Sequence, residues 1–415
     1  MLARALRRAQ QLSLPLFAGV FVALAFANLA PELYHRILEF RPFGELAIFH
    51  HVVDVHFLVN DVFMVFFFGI AAKEITEALH PGGSLNPPAR AINPLLATLG
   101  GVLGPVVVFL TSLTIAFQAG AFPAGAALPE LARGWGVPTA TDIALAWLVA
   151  RMVFGPGHPA INFLLLLAIA DDAIGLVIIA VFYPSPEHPP APEWLGLVLL
   201  AMGVAYALRR RQPQGWLPIV GIAGPIAWCG LLLAGLHPAL ALVAIVPFLP
   251  LSRPKGGAMH EVAATGVVED ERHPPLLAFE HQTKAFVDWG LFAFAFANAG
   301  VTFERLGPLT LCILGALVVG KTAGVTSLGL LARRLGFPLP AGMNVRELCV
   351  AGFVAALGLT VALFVASVAF VDPHLQGEAK MGALLSGLVG LAAVPLARLL
   401  GVRPAPRGGT QAPPR

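Results

Sequence analysis

Repeated apolar runs of about 20 residues constrain this chain more than any other feature of it. A helix of that length crosses a hydrocarbon core of about 30 Å. Twelve windows read as candidates, at 12–31, 57–79, 91–118, 137–153, 159–182, 192–208, 216–234, 237–251, 284–303, 307–331, 346–371 and 377–400. Lipid offers no partner to an open backbone group, so each must be helical, and the windows are too long and too uniformly apolar for barrel strands. Only 12% of the 415 residues are charged, against roughly 25% in a soluble domain. The expected fold is an all-α integral membrane protein with about 12 transmembrane helices.

The basic residues orient it. With the N-terminus (residues 1–11) inside, the inside segments hold nineteen Lys and Arg and the outside segments five. Both ends are therefore expected in the cytoplasm. The start, MLARALRRAQQ, is basic and precedes an apolar stretch but has no distinct small-residue cleavage site, so it reads as leading into an uncleaved first helix. Residues 252–279 read as a polar cytoplasmic loop and 401–415, rich in Pro and Arg, as a disordered cytoplasmic tail. No basic stripe with interleaved aromatics points to nucleic acid. Cys229, Cys312 and Cys349 fall in separate apolar runs without CxxC spacing, which makes them packing residues.

Few ionisable side chains lie well inside the windows: Asp61, Asp142, Asp171, Asp172 and Lys321, with Asp288 nearer an end. Each costs several kcal/mol at the bilayer centre, so each reads as functional and facing a watered cavity. Adjacent residues on a helix differ by about 100°, so Asp171 and Asp172 need separate partners. Lys321, in LVVGKTAG, is the obvious one for either acid; a packing ion pair with no role in transport is the plainer alternative. Asp142 lies in GWGVPTATDIALAW. There Pro138 removes an amide donor, which suits an interrupted span exposing helix ends. The alternative has Pro138 opening an ordinary helix, with Thr141 as its cap and Asp142 in its first turn. A second interruption is expected in 350–370, around Gly352, Gly358 and Thr360. The two interrupted windows are fourth and eleventh, an odd separation, so their surroundings cross in opposite senses. Interrupted spans at corresponding places in inverted halves are a mark of secondary transporters.

The motifs GWGVPTATDIALA, LLLLAIADDAIGLVIIAVFY, LFAFAFANAGV, LVVGKTAG and VAGFVAALGLTVALFVAS, in this order, resemble the NhaA family of Na⁺/H⁺ antiporters, which is among the known inverted-repeat transporters. The resemblance runs from about residue 12 to 400. It implies a transmembrane antiporter domain over 12–400, with inverted three-helix repeats at about 91–182 and 307–400. The helices of 12–79 and 192–303 would form the interface side. It implies electrogenic, pH-regulated exchange of Na⁺ or Li⁺ for protons in the bacterial inner membrane, without a cofactor, by a homodimer joined through the 31–56 loop. By motif, Asp172 would be the main ion-binding carboxylate, and Asp171, its proton- and ion-binding neighbour, would pair with Lys321 when the ion is absent. Thr141, Asp142, Gly358 and Thr360 would lie where the unwound chains cross, with Asn298 a lesser candidate.

Two regions depart from the family pattern. The second window ends GIAAKEIT, keeping Lys73 but placing Ala71 where the family has an acid and rearranging the charges around Glu74. Glu280 and His281 are present, but the next His-Pro is missing and Lys284 stands nearby. Both regions are associated with pH response in the family, so the resemblance makes Glu74, Glu280, His281 and Lys284 the candidates for it. His50, His51, Asp54 and His56 have no standard zinc spacing and read as interfacial. Glu261, Glu269, Asp270, Glu271 and His273 make the long cytoplasmic loop acidic. The competing functions are another ion-coupled carrier on this fold, for K⁺ or an organic solute, and an intramembrane aspartyl protease. The protease calls for a GxGD-type context, whereas the acids here sit in PTATD and ADDAIG.

Overall fold

Helices occupy all twelve apolar windows of the computed structural model, which describes residues 13–49, 51–85, 88–123, 125–184, 191–251 and 274–404. Six of them are long and apolar enough to cross a membrane: Val55–Leu79, Ala91–Gln118, Pro159–Phe182, Pro192–Arg210, Pro308–Arg334 and Pro373–Leu399. The pair Leu128–Thr139 and Ile143–Phe154, bent by 52°, makes a seventh if it is one span. Shorter apolar helices include Leu14–Leu29, Leu217–Leu233 and Thr360–Ala369. Large apolar side chains such as Phe21, Leu103, Val107, Val181, Leu199 and Leu391 are more than half exposed. Water would not tolerate so much apolar surface, and lipid does. The protein is an all-α membrane protein.

Proline and short polar residues set the helix starts. Pro159, Pro308 and Pro373 each stand at the first position, where no amide is needed. Asp372 accepts from the His374 amide at 2.8 Å and Asn344 from the Glu347 amide at 3.0 Å. The helix Pro275–Ala299 begins inside the stretch 252–279 expected as loop, and carries Glu280, His281 and Lys284. Of the expected tail, Val402 is buried and its amide returns to the Ala397 carbonyl at 2.8 Å. The acids of 261–273, His50, residues 1–11 and residues 405–415 of the tail lie outside the described residues. The 31–56 connection holds a short helix, Pro31–Leu38, and an antiparallel hairpin pairing Ala47 with Val52 and Ile48 with His51.

The chain divides into two units. The first comprises Met1–Leu38, Ala78–Tyr183 and Phe292–Arg415, and the second Glu39–Glu77 and Pro184–Leu291. In the first, the helix Pro88–Gln118 packs along Pro308–Arg334 with almost no side chains between them. A Cβ on Gly100 would overlap the Gly324 carbonyl, and one on Gly104 the Gly320 carbonyl. Two small-xxx-small pairs face each other, the close approach that membrane helices use in place of hydrophobic packing. In the second unit, Leu195–Arg210 packs against Leu217–Leu233, where Gly230 accommodates Leu197 and Val198.

Candidate functional site

Two helical spans of the first unit are broken. One runs from Leu128 to Ala132, tightens into a 3₁₀ helix at Arg133–Thr139, loses helical form at Ala140, Thr141 and Asp142, and resumes at Ile143–Phe154. Pro138 lies inside the tight stretch and does not open the following helix. Its cap is Asp142, whose Oδ1 accepts from the Leu145 amide at 3.0 Å. That corrects the simpler expectation of Thr141 as the cap. The other broken span stops at Val354 and restarts at Thr360.

The breaks meet. The Asp142 amide donates to the Leu357 carbonyl at 2.6 Å. Its Oδ2 accepts from the Thr360 hydroxyl at 3.0 Å and the Thr360 amide at 3.3 Å. One carboxylate thus stands at the N-terminal ends of two helices, where aligned peptide dipoles favour negative charge. Gly358 lies so near the other chain that an added Cβ would stand 2.8 Å from the Ala140 carbonyl. Its amide is held by the Ser386 hydroxyl at 3.2 Å.

The acid pair sits beside this crossing. Asp171 and Lys321 are both wholly enclosed, with Nζ 2.7 Å from Oδ2. Lys321 also donates to the Thr139 carbonyl at 2.5 Å. The Thr141 hydroxyl lies 2.7 Å from the same Asp171 oxygen and 2.9 Å from the Ala355 carbonyl. Lys321 ends a wide π-helical stretch, Ala316–Lys321, a local unwinding often found at functional sites. Among the described residues, Asp171 Oδ1 has no hydrogen-bond partner. Asp172 is slightly more open, 9% exposed, and near enough to feel the Lys321 charge. Asn298 is buried and donates within its own helix to Phe294 O at 3.1 Å.

The residues singled out for pH response form a separate centre in the second unit. Lys73 is buried and bridges Glu280 and Glu77, the latter at 2.5 Å. Lys284 reaches Glu280 at 3.9 Å, and Glu74 is within electrostatic reach of Glu280, Lys73 and Lys284. His281 is exposed on the same helix. Glu77 and the linking role of Lys73 were missed in the sequence, although the i,i+4 spacing of the two is a readable signal. Asp61 lies in another π-helical stretch, Leu58–Phe63, 3.7 Å from His237.

The chain matches a family model described as Na⁺/H⁺ antiporter 1 over residues 3–397. It belongs to the Na⁺/H⁺ antiporter 1 family. It is 54% identical to the Na⁺/H⁺ antiporter NhaA of Geobacter sulfurreducens over 96% of this chain and 98% of the relative. The NhaA of Desulfitobacterium hafniense is also 54% identical, over 95% of each chain, and that of Jannaschia sp. 42%, over 90% and 92%. These names bear out the resemblance carried by the five motifs and give no support to the solute-carrier and protease readings. The Na⁺/H⁺ antiporter 1 family consists of secondary transporters, not enzymes. For a family member, the oxygen-rich surroundings of Asp171, from Thr141 Oγ1 to the Thr139 and Ala355 carbonyls, are chemically apt for a small hard cation.

Proposed function

We propose that this protein is a secondary Na⁺(Li⁺)/H⁺ antiporter of the bacterial inner membrane, electrogenic and pH-regulated, with both termini cytoplasmic. The observation that carries the reading is the enclosed Asp171–Lys321 pair, with Asp172 one residue on and two broken spans meeting beside it. Na⁺ binds deprotonated Asp172 and draws Asp171 into its shell, and Lys321 lets go. Proton binding restores the pair and ejects the ion. Because a cation and protons compete for the same carboxylates, ion binding releases protons and strengthens as pH rises. The transported ions are the only small-molecule partners required, and no cofactor takes part.

The architecture proposed for this cycle has twelve spans. Repeats at 91–182 and 307–400, inverted with respect to each other, rock against the helices of 12–79 and 192–303. The odd separation of the two broken spans supports the inversion, and the charge asymmetry of the loops supports the orientation. The hairpin at Ala47–Val52 supplies an edge through which a homodimer pairs. The decisive test reconstitutes the protein in liposomes carrying a pH gradient and adds Na⁺, Li⁺ or K⁺ across a pH series. Dissipation by Na⁺ and Li⁺ but not K⁺ is expected. Absence of any Na⁺ response at every pH would remove the reading.

A further inference from the structure

The first unit contains an open hollow of about 710 Å³, away from the acid pair in composition, lined by Arg333, Pro338, Asn344, Arg346 and Val402 among others. Arg333 and Arg346 line it, and Arg334, Arg398 and Arg403 stand near other lining residues in the sequence. Arg333 and Arg334 end the helix Thr322–Arg334, Arg346 lies in the first turn of Val345–Val354, Arg398 lies in the last turn of Leu388–Leu399, and Arg403 follows it. All five are exposed, and among the described residues none makes an ion pair. Arg346 spends one donor on the Leu400 carbonyl at 3.4 Å. The adjacent acid, Glu347, is engaged elsewhere, accepting from the Asn344 amide at 2.8 Å and lying 3.6 Å from His158.

The same helix ends carry apolar side chains that are bare: Leu335 is 62% exposed and Leu399 83%. Uncompensated guanidinium forks suit a phosphate, which they bind with paired hydrogen bonds. A free phosphate has no use for exposed leucines, whereas a lipid has use for both. Basic pockets between membrane helices on the cytoplasmic side are a recognised form of lipid headgroup site. We propose that this hollow holds the headgroup of an anionic phospholipid, its phosphate on Arg333 and Arg346 and its acyl chains along the leucines. The bound lipid ties the end of the helix that carries Lys321 to the start of the second broken span. This site does not depend on the exchange reading, and its test needs no transport.

The test uses the purified full-length protein in detergent, titrated separately with phosphatidylglycerol, phosphatidylcholine and inorganic phosphate. Native mass spectrometry counts retained lipid, and thermal unfolding follows stabilisation. Phosphatidylglycerol is expected to give a retained adduct and a raised Tm that the other two do not match. An R333Q/R346Q variant, altered only at exposed positions, should bind it at least threefold more weakly, and R346K should fall between. R36Q/R41Q, which removes two exposed arginines from the connection expected on the outer side, should bind like the parent. Equal adducts in R333Q/R346Q, equal loss in R36Q/R41Q, or a matching response to phosphatidylcholine or to phosphate would each overturn the proposal.

Discussion

Two lysines lie among helices of apolar sequence, and they are held in opposite ways. Lys321 and its partner Asp171 are sealed from solvent, and among the described residues the lysine's other hydrogen bond goes to a backbone carbonyl. Lys73 is almost as buried, yet it faces two carboxylates whose side chains are 46% and 26% open. In the sealed pair each charge depends on the other, because removing one leaves the second stranded at a cost of about 3–5 kcal/mol. In the open cluster a second carboxylate and water stand ready, so losses are shared and screened. A sealed pair is suited to an all-or-none exchange of partners, an open cluster to a graded response.

The comparison breaks or sharpens with four variants. The largest effect is expected from D172N, which keeps the shape of the side chain but removes the carboxylate to which the proposed cycle assigns the ion. Na⁺-driven proton movement in proteoliposomes should fall at least a hundredfold while yield and Tm stay near the parent values. Retained exchange in D172N would sink the competition scheme. Next comes the sealed pair itself. K321M or D171N alone should lower stability by about 3–5 kcal/mol, read as a fall in Tm, and the double variant should recover most of it. If the double variant were as unstable as the singles added together, the two charges would not be acting on each other.

G358A places a methyl 2.8 Å from the Ala140 carbonyl and should cost about 1–3 kcal/mol by overpacking. In the proposed cycle the crossing moves, so the variant should slow exchange in addition, and normal stability together with normal rates would show that the chains already stand further apart. The smallest effect is expected from K73Q. Maximal exchange should stay within threefold, while the activation profile moves toward alkaline pH by less than one unit. The sign follows from electrostatics: withdrawing a cation favours the protonated form of neighbouring carboxylates. A hundredfold loss in K73Q would erase the distinction between the two centres.

Much of the sealed site was legible in the sequence, for a specific reason. An acid or a lysine in an apolar window is too costly to be incidental, so Asp142, Asp171, Asp172 and Lys321 declared themselves without knowledge of what they touch. Their partners did not. Nothing local tells that Lys321 meets the Thr139 carbonyl, or that Ser386 holds Gly358, because backbone carbonyls and hydroxyls are everywhere and only the packing selects among them. The glycines at 100, 104, 320 and 324 were readable as small-xxx-small pairs, but the meeting of one pair with the other is a property of the fold. The open cluster was half legible. Glu280 and Lys284 stood out by motif, while Glu77, an ordinary surface acid in sequence, gains its role only through the buried lysine one turn away.

Asp142 carries a mechanical consequence. Its two oxygens fasten the start of Ile143–Phe154 to the start of Thr360–Ala369, and its amide fastens the chain between to Leu357. A rivet through two plates leaves one moving part where there were two. While these bonds hold, any tilt that carries one half-helix carries the other.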